Sequence, residues 1–195
     1  MSEDRAAVEA QIKATADAAQ WADAVTAALT AYGEEILGYL VAITRSETDA
    51  SDAFSIFAED LWKGLPKFRW ECTLRTWAYG LARHAFARIK RDPHRRRAVP
   101  LGDAHVDGLV EQMRSRTATF LRTETKDKVA KLRASLDPDD QTLLILRINR
   151  GLAWRDIARV LAPSADADLD KVAAALRKRF ERLKTELKTK ARAAG

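Results

Sequence analysis

The stretch ITRSETDASDAFSIFAEDLWKGL, residues 43–65, decides how the chain reads. Ala50, Phe54, Phe57 and Leu61 recur at steps of three and four, the spacing that gathers side chains on one face of a helix. Thr48, Asp52, Ser55, Glu59 and Lys63 line the opposite face, and Gly64 with Pro66 closes the segment. Taken alone, an acidic and hydroxylated helix face is a solvated one. The sequence on either side supplies a second reading.

Working outward, the same periodicity continues. WADAVTAALTAYGEEILGYLVAIT precedes the stretch, after a lead-in over residues 1 to about 20 that reads as loosely packed and amphipathic. TLRTWAYGLARHAFARIKR follows it, with Leu74, Trp77, Leu81, Ala85 and Ile89 sharing a face and a basic far end. Ala, Leu, Lys, Arg and Glu dominate, and no segment alternates as a strand does, so the expectation is an all-α protein. DPHRRRAVPLGD combines Pro93, Pro100, Gly102 and an arginine run, which puts a domain boundary near Arg97. Residues 103–134 are helical in composition but weakly amphipathic, as suits a partly helical linker. SLDPDDQ then opens a second domain, with Asp137 as N-cap, Pro138 as the first helical residue, and Asp139 and Asp140 against the positive helix end. The expected organisation is an extension over 1–22, a domain over 23–97, a linker over 98–134, a second domain over 135–187 and a basic tail over 188–195.

In the second domain Gly151 ends one helix, and a short helix turns Leu152, Ile157, Ala158 and Leu161 inward. Pro163 stops it. A third helix buries Val172, Leu176, Phe180 and Leu183. Three short helices stopped in this way fit a helix-turn-helix, with Lys171, Arg177, Lys178 and Arg182 facing out toward phosphates and base edges. A basic surface helix of an ordinary bundle has the same composition.

The 195 residues carry 34 Lys and Arg against 28 Asp and Glu, a formal charge of +6 that favours polyanionic partners. Cys72 is the single cysteine, so no internal disulfide forms and a reducing, cytoplasmic setting is expected. The start, MSEDRAAVEA, lacks the basic and apolar regions of a signal peptide, and no apolar run approaches the roughly 20 residues that span a bilayer. Direct membrane insertion is not expected. His84, His94, His105 and Cys72 show no metal-ligand spacing, and neither a phosphate-cradling glycine loop nor a nucleophile elbow is present. No catalytic residue, metal or cofactor is therefore assigned, and an enzyme is not the expectation.

The two halves together resemble the extracytoplasmic-function (ECF) group of bacterial sigma factors. DASDAFSIFAEDLW is similar to that family's D-A-E-D-L-V-Q-E-x-F-x-x-x-W at Asp49, Ala50, Asp52 and Trp62. TLRTWAYGLARHAFARIKR keeps the pattern of S-F-R-A-W-L-x-x-I-A-R-N-x-x-x-D-x-x-R-R at Leu74, Arg75, Trp77, Ala82, Arg83 and Arg91. LDPDDQTLLILRINRGLAWRDIARVL is similar to L-P-x-x-Q-R-x-V-x-L-L-R-x-x-x-G-L-S-Y-x-E-I-A-x-x-L. The chain departs from the pattern at Ser51, Ser55, Ile56, His84 and Arg88, and Ala173, Ala174 and Ala175 stand where the last helix is normally polar or basic.

The resemblance implies that Asp49, Asp52, Ser55, Glu59 and Trp62 bind core RNA polymerase. It implies that the following loop and helix open the minus-ten element of promoter DNA and that the second domain reads the minus-thirty-five element. Lys67, Arg69 and Arg75 would neutralise phosphates beside Trp70, the aromatic best placed to meet a base, while Trp77 belongs to the core. Arg83, His84, Arg88, Lys90 and Arg91 would line the duplex. Because serine replaces a family carboxylate, Ser51 and Ser55 are candidate phosphorylation sites. An anti-sigma factor or a Ser/Thr kinase is then an expected partner. The competing readings are a helix-turn-helix repressor or activator that needs no polymerase docking, and a protein-interaction bundle.

Overall fold

Ser46 starts the decisive helix by accepting a hydrogen bond from the Asp49 backbone N–H at 3.2 Å, which satisfies one donor that the first turn leaves open. In the computed structural model, which describes residues 2–92, 100–126, 135–162, 164 and 166–193, the helices are α1 Ser2–Asp17, α2 Trp21–Thr44, α3 Glu47–Gly64, α4 Leu74–Arg91, α5 Ala104–Arg114, α6 Thr117–Lys126, α7 Pro138–Leu144, α8 Trp154–Leu161 and α9 Leu169–Ala193. No strand occurs among the described residues, so the fold is all-α. The boundary expected at Arg97 and the stop at Pro163 lie outside the described residues, as do His94, residues 127–134 of the linker and residues 194–195 of the tail.

The chain forms two compact units, Met1–Leu121 and Arg122–Gly195. The first is built on α2, whose Ala24, Val25, Leu29, Ile36, Leu37 and Leu40 are almost wholly buried. Ala50, Phe54, Phe57 and Leu61 of α3 meet it at 0–1% exposure, as their spacing predicts. Leu74, Ala78, Ala82, Ala85 and Ile89 of α4 close the core.

Two segments pack more tightly than the sequence suggested. Helix α1 buries Ile12 and Ala16, so the lead-in is part of the core rather than a loose extension. Helix α5 lies against α2 and α3 and buries Val106 and Met113. Its apolar stripe is narrow because two anchors suffice on a surface already formed by other helices.

In the second unit Asp137 caps α7, accepting from Asp140 N–H at 2.9 Å, and Pro138 takes the first helical position. Leu143 and Leu144 are buried, and a π-helical turn over Ile145–Asn149 continues the helix. Gly151 adopts φ +66°, a conformation glycine takes without steric cost. Around it the Leu152 N–H reaches the Leu146 carbonyl at 3.0 Å, the hydrogen-bond pattern of a helix C-cap. Leu152, Ile157 and Ala158 point inward, joined by Val160, whereas Leu161 is half-buried. Among the described side chains of α9 the buried ones are Ala173, Leu176, Phe180 and Leu183, while Val172 is half-buried. At 25 residues α9 is longer than the short third helix expected.

Candidate nucleic-acid and partner interface

On one face of α3 Thr48 and Lys63 are exposed and Asp49, Asp52, Glu59 and Asp60 are half-buried, with Ile56 between them almost covered. Their spacing draws one acidic stripe along the helix. Lys63 pairs with Glu59 one turn away, and Arg88 of α4 reaches both Asp60 oxygens at 3.0 and 3.1 Å. Trp62 is half-buried at the stripe's border.

Ser55 is not on this stripe. It is 9% exposed, and its hydroxyl donates to the Ser51 carbonyl at 3.1 Å. Helix α5 accounts for the difference from the expected open face. Ser55 and Ala58 line a cleft with Val110, Glu111 and Arg114, and Arg114 Nε donates to Ser51 Oγ at 2.9 Å.

Beyond Gly64, a 3₁₀ turn over Leu65–Lys67 leads into an aromatic cluster. Phe68 stacks on Trp77 with centroids 4.5 Å apart and planes 15° apart, and it contacts Trp70 at 4.8 Å. A Cβ on Gly64 would lie 2.9 Å from Trp77 Cζ2, so glycine is what lets the ring cover the end of α3. Trp77 therefore sits half-buried in this cluster and not within the core. Trp70 has φ +56°, a left-handed conformation that is costly for a large side chain. Its ring lies under Lys13 of α1, with Nζ 5.7 Å from the centroid.

Lys67 and Arg69 are exposed beside the cluster, and Arg69 reaches Glu71 at 3.2 Å. His84, Arg88, Lys90 and Arg91 are exposed on the far half of α4, and Arg83 is half-buried. Arg75 is turned elsewhere. Its side chain is 11% exposed, and its Nε donates to Glu35 Oε1 at 2.9 Å. Tyr79 donates to the same oxygen at 2.7 Å.

Glu9 of α1 completes this polar network. Its Oε2 accepts from Leu74 N–H at 2.7 Å, and its Oε1 accepts from Arg75 N–H at 2.9 Å and from the Tyr32 hydroxyl at 2.9 Å. Burial, followed by the hydrogen bond to the Glu9 carboxylate and its charge, raises the Tyr32 phenol above its ordinary pKa. Sequence reasoning missed Glu9, Tyr32 and Glu35 as a group. One signal was present: Glu9 shares a helical face with Ile12 and Ala16, so an acid stands on a buried stripe.

In the second unit Lys171, Arg177, Lys178 and Arg182 are all exposed on α9. Asp168 caps that helix, accepting from the backbone N–H groups of Asp170 and Lys171 at 3.1 Å. The bond from the Lys171 N–H, followed by that residue's side chain, lowers the Asp168 pKa. The Arg177 guanidinium is 5.9 Å from the Trp154 ring centroid and that of Arg147 is 4.8 Å away. Trp154 meets Phe180 edge-on at 5.4 Å. Arg179, which the sequence did not single out, ties α9 to the start of α7 through Asp140 and Asp137. Burial raises the Asp140 pKa, while in Asp137 the effect of burial is outweighed by hydrogen bonds from Asp140 and the nearby Arg179 charge, so its pKa falls.

Among the described residues no cluster of His, Cys, Asp or Glu could hold a metal ion, and no helix is long and apolar enough to cross a membrane. The Sigma-70 region 2 family matches residues 28–97, a span that begins within α2 and takes in α3 and α4. The chain is 30% identical over 132 residues to RNA polymerase sigma factor YlaC of Bacillus subtilis, a match covering 67% of this chain and 75% of that protein. It is 29% identical over 138 residues to the RNA polymerase sigma-H factor of Pseudomonas aeruginosa, covering 67% of this chain and 70% of that protein. No solved structure matches the chain.

Proposed function

Because the chain belongs to the extracytoplasmic-function group of bacterial RNA polymerase sigma factors, which serve transcription initiation, we propose that its two units divide the work of promoter selection. The α3 stripe of Asp49, Asp52 and Glu59 docks on core polymerase. The loop carrying Lys67, Arg69 and Trp70 receives the opened minus-ten strand, and His84, Lys90 and Arg91 of α4 follow the adjoining phosphates. The observation that carries this reading is the junction at Gly64, where the acidic stripe ends directly against the aromatic cluster. Polymerase docking would then fix the position of the strand-capturing loop.

In the second unit α7, α8 and α9 act as a helix-turn-helix on the upstream element. Lys171, Lys178 and Arg182 meet phosphates, and Arg177 reaches the groove beside Trp154. The exposed methyl groups of Ala174 and Ala175 suit contact with thymine methyls. The whole cycle takes place in the cytoplasm, under an anti-sigma factor or a Ser/Thr kinase. Of the two candidate serines Ser51 suits modification better, since the Ser55 hydroxyl is buried and bonded to the backbone. A phosphate on Ser51 would meet Arg114, whose Nε is already 2.9 Å from the hydroxyl.

Association with core polymerase tests the reading. Native mass measurement of the chain mixed with its cognate core enzyme should show a one-to-one complex, and Asp52→Lys with Glu59→Lys should abolish it while the helical circular dichroism is retained. A wild-type chain that leaves core polymerase unbound would remove the docking proposal.

A further inference from the structure

Helix α4 begins immediately after the aromatic loop, and its first free N–H groups are satisfied from a distant part of the chain. Thr73 caps locally, accepting from Thr76 N–H at 3.1 Å. The Leu74 and Arg75 N–H groups instead donate to Glu9, 65 and 66 residues away in sequence. All three partners of Glu9, including the Tyr32 hydroxyl, are donors. A carboxyl group offers an acceptor oxygen to each backbone N–H, whereas glutamine would present its own N–H₂ to one of them. One turn along α1, Lys13 lies over the Trp70 ring, so the same helix touches the middle of the loop and the helix start that follows it. Trp70 itself holds a left-handed backbone, a conformation that persists only where its surroundings over-determine it.

We propose that Glu9 is a positioning residue for promoter opening: through the start of α4 it holds the Phe68–Thr73 loop in the shape that lets Trp70 receive an unstacked base. This rests on the reading of that loop as the strand-capturing element. Helix α1 is then a working part of the opening machinery, acting through the loop and the start of α4.

The test uses full-length protein reconstituted with core polymerase. One probe is a duplex promoter drawn from the transcripts of that holoenzyme, and the other is the same DNA with a mismatched, pre-opened stretch. Glu9→Gln should lower initiation on the duplex about tenfold, the equivalent of one well-placed hydrogen bond. It should stay within about twofold of wild type on pre-opened DNA and in core affinity, because neither demands base extrusion. Val106→Ala, a core change in α5, whose contacts are with α2 and α3, provides a control for lost stability. Duplex activity of Glu9→Gln equal to wild type would overturn the inference. So would losses that are equal on both templates and match those of a Val106→Ala protein of the same thermal stability. Trp70→Ala separates the two levels of the argument. If it impairs duplex opening while Glu9→Gln does not, the positioning role alone fails; if it leaves opening untouched, the loop reading fails and the inference with it.

Discussion

Replacing Gly64 by alanine sets two well-defined effects against each other. Gly64 ends α3 with φ −91° and ψ −28°, a conformation alanine adopts freely, so the backbone should gain about 0.5–1 kcal/mol. The new Cβ, however, would stand 2.9 Å from Trp77 Cζ2 and 3.1 Å from Cη2. Relief requires the indole to move by roughly 0.5–1 Å, and Phe68 is stacked against that ring. Overpacking of this kind costs about 1–3 kcal/mol. The net expectation is a loss of about 1 kcal/mol, or roughly 3–5 °C for a unit of this size. Gly80 provides the internal contrast. It lies within α4, and nothing stands within 4 Å of its prospective Cβ, so Gly80→Ala should stabilise by up to about 1 kcal/mol. Thermal melts followed by circular dichroism and tryptophan emission read both. If Gly64→Ala raises the melting temperature as Gly80→Ala does and leaves the emission unchanged, the close approach of Trp77 to α3 is refuted.

Three further outcomes follow from the same geometry. Ser55→Ala should leave core affinity within about twofold of wild type, since its hydroxyl bonds only within α3, while Asp52→Lys should weaken it at least tenfold, read by competition for labelled core enzyme. Arg177→Ala with Lys178→Ala should weaken duplex binding and reduce the slope of log affinity against log salt by about 1, the share of the phosphate-contacting Lys178, and Arg88→Ala, whose charge already faces Asp60, should change the slope less than Lys90→Ala. The raised Tyr32 pKa means that the folded state keeps a proton the unfolded chain releases, so its contribution is complete below about pH 10 and falls as pH rises further. Urea midpoints measured across that range should fall less steeply for Tyr32→Phe than for wild type.

What the sequence made legible was local. Phe54, Phe57 and Leu61 lie in the core because a period near 3.6 leaves them no other face, and the Asp137–Pro138 start of α7 follows from capping chemistry within four residues. The second unit's Gly151 stop was readable because a left-handed residue at a helix end favours glycine. What escaped depends on contacts between distant segments. Ser55 has the composition of a surface residue and is buried only because α5 packs beside it, an arrangement marked by an Arg114–Ser51 bond across 63 residues. Arg75 matches the family pattern as a basic residue near the loop, yet Glu35, 40 residues earlier, turns it into the interior. In the sequence Glu9 reads as part of a loose lead-in because nothing in its neighbourhood names Leu74 as a partner. Periodicity assigns a residue to a face of its own helix, but the partner of that face is set by tertiary packing.

The central claim is that this chain confers promoter-specific initiation on core polymerase. Genomic DNA transcribed in vitro by cognate core enzyme, with and without the purified chain, followed by sequencing of RNA 5′ ends, tests it directly. The account predicts a small set of discrete start sites that appear only when the chain is present, that share upstream sequence, and that vanish with Asp52→Lys and Glu59→Lys. Binding of the chain to duplex DNA without any new start site would contradict it, and would instead describe a helix-turn-helix regulator acting apart from the polymerase.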